Sequence, residues 1–283
     1  MIFGINTFLF QSPFTTGSLP LLRQFRAWGF DSVEIALENA TDIDAITLKK
    51  ELLANEMICG SICAALGPGR DLRGSKQEQQ TALDYLKSVL DFMAEINCPV
   101  LGGPLYSTVG RADAVEESEY KKQWDTVAKH LQSISAYAKQ LNIRISIEPL
   151  NRYETDFINT SHQALSMIDT VSSDALGIHL DTYHMNIEEK DSARAILNAG
   201  SKLFLLHACG CDRGTPGNDH INWNAIAAAL QQIGYNGSVS IESFTTDVKV
   251  IAKAASIWRK MEPSQEDIAV KGLQFLQQVM KTT

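Results

Sequence analysis

Nothing in this sequence reaches the ~18 consecutive apolar residues that a membrane-spanning helix requires, so no membrane partner is expected. Basic charge is also short: 25 Lys and Arg stand against 33 Asp and Glu, a net charge of −8. Binding to nucleic acid draws on neutralised phosphates, so a surface of this sign argues against that partner and leaves a small neutral ligand open. Cysteine is sparse and odd in number: Cys59, Cys63, Cys98, Cys209 and Cys211. That is too thin for a disulfide scaffold and fits a reduced, cytoplasmic setting. The opening residues, MIFGINTFLF, have neither a basic n-region nor a small-residue cleavage site, so no secretory signal is expected. A Gly-x-Gly-x-x-Gly loop is missing after the first strand-like run, which continues as FLFQSPF, and GPGR from Gly67 is only a turn signal. Neither a nicotinamide nor a flavin cofactor is therefore expected.

What the chain has is alternation. Eight short β-branched runs begin at Ile2, Ser32, Ile58, Pro99, Arg144, Leu176, Leu203 and Ser238. Amphipathic stretches lie between them: from Leu19 to a terminating Gly29, from Asp42, from about Glu78 to Ile96, from about Glu117 to Leu141, and shorter ones near Ser161, Asp191 and Trp223. In the run to Ile96, Leu83, Leu86, Val89, Leu90 and Met93 recur at helical spacing, so one face is expected to be buried. Strand and helix alternating eight times in 283 residues matches a closed (β/α)8 barrel rather than an open doubly wound sheet. No linker, low-complexity segment or repeat interrupts residues 1–283, so one barrel domain is expected.

The informative signal lies in strand parity. In RISIE, Ile145 and Ile147 oppose Arg144, Ser146 and Glu148; in GIHLD, Ile178 and Leu180 oppose Gly177, His179 and Asp181; in SVSIE, Val239 and Ile241 oppose Ser238, Ser240 and Glu242. The apolar set of a barrel strand packs outward on helices, so the polar set points inward. LFLLH is apolar until His207. Each of the last four strands thus ends on one ligand-capable side chain, and the C-terminal strand ends of a barrel surround one mouth. Any one of these residues alone reads as a solvated or salt-bridged strand end. Four at equivalent positions read as a site, and a dication relieves the repulsion among three carboxylates. Three oxygen donors and one imidazole suit Mn²⁺, Mg²⁺ or Co²⁺ better than a structural zinc. The HACGC run offers a rival in which Cys209 and Cys211 join a soft zinc site, but no second Cys pair accompanies it.

The stretches IEPLNRYETDFINT, GIHLDTYHMNIEE, LLHACGCDRGTPG and IESF resemble the ketose 3-epimerases, the D-tagatose and D-psicose (D-allulose) 3-epimerase group of xylose-isomerase-like TIM barrels. The likeness covers the chain in length and strand order, with its specific motifs between Glu148 and Phe244. It implies Glu148, Asp181, His207 and Glu242 as metal ligands, Mn²⁺ as the first choice of metal, and Glu148 with Glu242 as the acid/base pair. It implies Glu154, His184 and Arg213 as substrate contacts, with the segment Phe8, Leu9, Phe10 and Tyr106 toward the distal end of the sugar. A homo-dimer or homo-tetramer is implied too, to which the apolar stretch around Ile257, Trp258 and Met261 is suited.

The chemistry fits those residues. Epimerisation at C3 of a ketose removes a weakly acidic proton beside the C2 carbonyl, and a cation favours the resulting enediolate. Inversion needs a base on one face of C3 and an acid on the other, which two carboxylates from nonadjacent strands supply. His179, by parity, sits inside the barrel below Asp181 as a core histidine. The rivals are an aldose–ketose isomerase using the same metal site, an enzyme for a phosphorylated sugar or inositol-type ketone, and an endonuclease-IV-like DNA repair enzyme. Arg111, Lys190 and Arg213 are the candidates for a phosphate but form no cluster. The repair enzyme needs more metal ligands and a basic face, against six histidines and net negative charge here.

Overall fold

The β-branched runs all become strands. In the computed structural model, which describes residues 1–281, they are Ile2–Asn6 (β1), Ser32–Ala36 (β2), Ile58–Cys63 (β3), Val100–Gly103 (β4), Arg144–Ile147 (β5), Leu176–Asp181 (β6), Leu203–Ala208 (β7) and Ser238–Ile241 (β8). Each pairs in parallel with its sequence neighbour, and β1 pairs with β8, closing the barrel. The helices that follow are Leu21–Ala27 (α1), Ala45–Ala54 (α2), Lys76–Ile96 (α3), Glu117–Gln140 (α4), Ser161–Val171 (α5), Thr182–Glu188 (α6), Ser192–Ala199 (α7), Trp223–Gln232 (α8), Lys249–Ala254 (α9) and Gln265–Lys281 (α10). None of those described is long and apolar enough to cross a membrane.

The outward parity holds. Ile145, Ile147, Ile178, Leu180, Val239 and Ile241 all join the main core between barrel and helices. The long helix α3 starts two residues before the sequence suggests, because Ser75 caps it and Glu78 reaches back to the Ser75 N–H. It buries Leu86, Val89, Leu90 and Met93, with Leu83 partly covered. Three helices go beyond the sequence expectation, one of them the short α9 after β8. The stretch after Asp181 forms a helix of its own, α6, before α7. The barrel also ends on α10, whose Ile268, Ala269, Leu273, Leu276 and Met280 repeat at helical spacing and are buried.

Barrel interior and register position the site. Pairing of β6 with β7 jumps from Ile178↔Leu203 to His179↔Leu205, leaving Phe204 as an extra residue. Phe204 and Leu205 form an apolar plug with Val100, apart from the main core. Glycines make room for it: a Cβ at Gly177 would overlap the Phe204 ring, and one at Gly102 would overlap Leu205. Beyond the bulge, Asp181 and His207 stand opposite each other.

At the mouth, the loops after β3, β4 and β5 are tied together by Arg73. Its side chain is fully buried and donates to Asp156 (2.7 Å), Ser107 (3.3 Å) and Gln123 (2.9 Å), with its guanidinium 4.5 Å from the Phe157 ring centre. Asp156 accepts in addition from the N–H groups of Asp113 and Ala114. Burial raises the Asp156 carboxyl, but Arg73 and the two N–H groups outweigh it and hold it below the usual range. Asp156→Ala should therefore cost about 3 kcal/mol, because Arg73 stays buried and loses its counter-charge. Chemical denaturation at neutral pH measures this, and a loss below about 0.5 kcal/mol would refute it. The sign with pH follows: a depressed folded-state pKa stabilises above the unfolded value of about 3.9, so the gap between the two proteins should shrink as pH falls below that value.

Candidate functional site

The four strand-end residues converge. Glu148 follows β5 directly, and its N–H donates to Gly103 O at 3.0 Å. Asp181 closes β6 and caps α6, accepting from Tyr183 N at 2.6 Å. His207 lies within β7, and Glu242 follows β8. Their ligand atoms all lie within 4.8 Å of one another, and all four residues are buried. His207 Nδ1 stands 3.2 Å from Glu242 Oε2 and 3.9 Å from both Glu148 Oε1 and Asp181 Oδ2. Neither that nitrogen nor Glu148 Oε1 has a hydrogen-bond partner. Two orphaned buried electron-pair donors aimed at one point, beside two further carboxylates, fit a divalent cation. Without one, each carboxylate pair about 4 Å apart repels by roughly 4 kcal/mol at an effective dielectric of about 20.

As side chains alone, the four are not equivalent. Burial, then Glu242 and Asp181, push the Glu148 carboxyl well above the ordinary range, against His207 and Arg213. Burial raises Asp181 too, but Arg213, His184 and His207 outweigh it and bring it down to about 2. His179 lies inside the barrel as parity requires, with Nδ1 3.6 Å from Glu148 Oε2 and its ring edge-on to His207. The soft-zinc rival finds no support among the described residues: neither Cys209 nor Cys211 joins a group of metal-capable side chains. Cys209 is buried with its Sγ 3.4 Å from Asp181 Oδ1, and Cys211 is partly exposed.

Sequence reasoning missed a second row of polar residues. Glu34 of β2 is fully buried; its Oε1 lies 2.5 Å from His207 Nε2 and accepts from Asn6 Nδ2 at 2.6 Å, and its Oε2 accepts from Ser61 Oγ. Asn6, the last residue of β1, also donates to Glu242 Oε1 at 3.2 Å. Cys63, the last of β3, sits with its Sγ 3.9 Å from the same oxygen. The signal was there: in SVEIA, Val33 and Ile35 oppose Glu34 as Ile145 and Ile147 oppose Glu148.

The other three residues singled out lie on the loops above. Arg213, at φ +66° and buried, donates through Nη1 to Asp181 Oδ2 (2.6 Å) and Glu242 Oε2 (3.0 Å). Its guanidinium lies 4.3 Å from the Tyr183 ring centre and 4.8 Å from that of Phe244. His184 accepts at Nδ1 from Asn151 N at 2.9 Å, so its neutral ring carries the proton on Nε2. That nitrogen faces Arg213 Nη2 at 2.9 Å. Both nitrogens are thus within reach of one acceptor placed beside them, such as a ligand oxygen. Glu154 is partly buried, accepts from Asn151 Nδ2 at 2.8 Å, and is raised by burial. The distal residues divide. Tyr106 is no lining group: it is fully buried, its hydroxyl donating to Glu148 O at 2.9 Å. Leu9 is buried in the core and Phe10 packs on Phe25 and Trp28, whereas Phe8 meets Phe244, the ring beside Arg213.

Comparison with known proteins points one way. The family model for xylose isomerase-like TIM barrels matches residues 22–279. The chain is 34% identical to a protein of Synechocystis sp. described as a probable ketose 3-epimerase, over 99% of this chain and 97% of that one. It is 31% identical to an L-ribulose 3-epimerase of Methylomonas sp., over 88% of this chain and 87% of that one. A crystal structure of D-allulose 3-epimerase from Methylomonas sp. in complex with D-allulose superposes with a TM-score of 0.91 at 26% identity, covering 98% of this chain and 96% of that one.

The histidine geometry makes a prediction. Burial, then the Arg213 charge, hold the His184 imidazole down at about 3. It should stay neutral between about pH 5 and pH 8, where an ordinary histidine titrates. Its NMR ring-proton shifts should be flat across that range, and a midpoint near about 6.5 would refute the geometry. The folded state resists a proton that the unfolded state accepts, so this residue should lower stability progressively as pH falls from about 6.5 toward 3.

Proposed function

The chain belongs to the ketose 3-epimerase family of xylose isomerase-like TIM barrels, and from that premise we propose that it interconverts free ketoses epimeric at C3, of the D-psicose/D-allulose, D-fructose, D-tagatose or ribulose type. It is an enzyme of the carbohydrate isomerase class. The carrying observation is the convergence of two carboxylates, Glu148 and Glu242, from nonadjacent strands on one buried cluster with Asp181 and His207. We take the chain as one domain over residues 1–283, acting in the cytoplasm as a homo-dimer or homo-tetramer. Val250 and Trp258 are exposed next to Ile251 and Ile257 in the chain, which pack into a small core cluster, and these two exposed side chains favour such association.

In this reading Glu148, Asp181, His207 and Glu242 hold a divalent cation, Mn²⁺ in first place with Mg²⁺ or Co²⁺ as substitutes. When bound, the ion supplies Lewis-acid charge that makes the proton beside the ketose carbonyl easier to remove. The ionised carboxylate of the Glu148–Glu242 pair takes the C3 proton from one face. The protonated partner returns a proton to C3 on the other, so one proton leaves and one arrives. Which one acts first depends on the epimer supplied. Arg213 and His184 offer their converging N–H groups to the oxygens near the reacting carbons, and Glu154 accepts from a hydroxyl. Phe8 and Phe244 shield the site from water. A free sugar is favoured over a phosphorylated one because the nearby cations are already engaged: Arg111 with Asp71 (3.0 Å) and Asp113 (2.5 Å), and Arg213 with Asp181 and Glu242. A 1,2-enediol route to an aldose would use the same carboxylates, so the position of exchange discriminates.

The Mn²⁺-loaded protein should exchange the C3 proton of fructose, tagatose or ribulose with D2O, and Glu148→Gln or Glu242→Gln should lower the rate about 10²–10⁴-fold. NMR of the recovered sugars reads this; exchange only at C1, or none at any carbon, would overturn the assignment. Arg213→Ala should raise KM about tenfold or more while metal content, measured by atomic emission, is unchanged. Loss of the metal in that variant would make Arg213 structural instead.

A further inference from the structure

We infer that Glu34, on the wall of the barrel across from the ligand strands, fixes which nitrogen of His207 is offered to the cation: it is a positioning residue for metal binding, resting on the metal centre proposed above.

The two nitrogens of His207 have unlike surroundings. Nε2 lies 2.5 Å from Glu34 Oε1, while Nδ1 has no partner and faces Glu148, Asp181 and Glu242. A carboxylate that accepts the Nε2 proton leaves the Nδ1 electron pair free and aimed at the cluster. It also stops the ring from flipping, and makes the imidazole a stronger donor. Glu34 is itself held. Asn6 Nδ2 occupies Oε1 at 2.6 Å and Ser61 Oγ occupies Oε2, so its orientation is set from β1 and β3 before His207 is met. Among the described residues it makes no contact with a lysine or arginine; its one ion-pair partner is His207.

A purely structural role is the competing account, since Glu34 joins four strands inside the barrel. Burial argues against it. Glu34 and His207 are both 0% exposed; Glu34 stands opposite Ser61 across the strands, and Glu242 and Cys63 lie close to its carboxylate. A carboxylate buried there with no lysine or arginine paired to it costs several kcal/mol in desolvation, and a neutral side chain would tie the same strands at less cost. The charge is of use to something beyond Glu34, and its direct path to the cluster runs through His207. Asn6 widens the effect by holding Glu242 Oε1, which leaves Oε2 to the cluster.

The test uses the full chain and the metal alone. Calorimetry should give a Kd for Mn²⁺ 10–100-fold weaker in Glu34→Gln than in the parent, with circular dichroism of both unchanged. Gln keeps the shape, the acceptor for Asn6 and a partner for Ser61, so only the charge is removed. A structural role would act whatever occupies position 207. The decisive comparison is therefore Glu34→Gln in a His207→Ala background, where it should change the Kd by less than twofold. An undiminished effect there, or a single-variant Kd within twofold of the parent, overturns the inference. Should Glu34→Gln fail to fold, nitrogen NMR of the Mg²⁺-loaded parent decides: a proton on His207 Nε2 supports the inference and one on Nδ1 overturns it. Turnover is not read, so a chain that binds Mn²⁺ but epimerises nothing would count against the proposed activity alone. A parent that binds no Mn²⁺ overturns both.

Discussion

The mouth of this barrel is organised around an excess of buried negative charge. Glu34, Glu148, Asp181 and Glu242 are each no more than 6% exposed and lie in contact through shared partners. Against them stands the Arg213 guanidinium. Ionised carboxylates at such separations repel by kilocalories each, and burial removes the water that would screen them. That one protein-borne cation answers part of the charge. Asp181, bonded to Arg213, is held down at about 2, whereas Glu148, with an orphaned oxygen, is pushed up. The imbalance remaining is of the sign and place that a dication corrects.

That concentration of charge makes demands on the scaffold far from the ligands. The side chains must arrive from separate strands at one height, which closed parallel pairing provides. Height alone is insufficient, because β7 enters too early. The bulge at Phe204 consumes one residue, and it exists only where Gly102 and Gly177 leave space inside the barrel. A second register shift, at Gly60 of β3, brings Ser61 opposite Glu34, where its hydroxyl can donate. Above the strands, loops carrying Glu154 and the residues near Tyr106 are held by Arg73 and Asp156. The fold thus fixes the clustered side chains by register and the loops beside them by one ion pair.

How much of this was legible follows from where the signals lie. Period-two alternation in RISIE, GIHLD and SVSIE identified inward faces correctly, because outward isoleucines and valines are unambiguous packing residues. The same alternation in SVEIA would have found Glu34. It was passed over because Glu34 sits in mid-strand rather than at a strand end, and a mid-strand carboxylate makes sense only when its partner on β7 is known. Asn6 and Cys63 share that difficulty: a neutral strand-end residue carries no signal without neighbours from strands remote in sequence. The helix α10 had clear helical spacing at Ile268, Leu273, Leu276 and Met280, and setting seven expected helices against the eight that a (β/α)8 barrel carries would have demanded it. Tyr106 shows the opposite error, since a loop tyrosine near a binding site invites a ligand role. Here burial and two backbone carbonyls claim its hydroxyl.

The division between strand and loop also bears on how one barrel comes to choose a reaction. On the proposed reading, the cluster built by strands is unspecific: three carboxylates and an imidazole able to hold a cation and move a proton would serve an aldose–ketose isomerase as well as an epimerase. Choice of carbon would then depend on which substrate atoms are brought over Glu148 and Glu242, a matter for the donors above them. His184 and Arg213 come from α6 and the loop after β7, and each is immobilised by a contact outside the cluster: His184 by Asn151 N, Arg213 by the rings of Tyr183 and Phe244. Because their nitrogens lie 2.9 Å apart, a single oxygen placed beside the pair is within reach of both. On the proposed reading, strands fix the available chemistry, and two loop residues, by where they converge, select the carbon on which it acts.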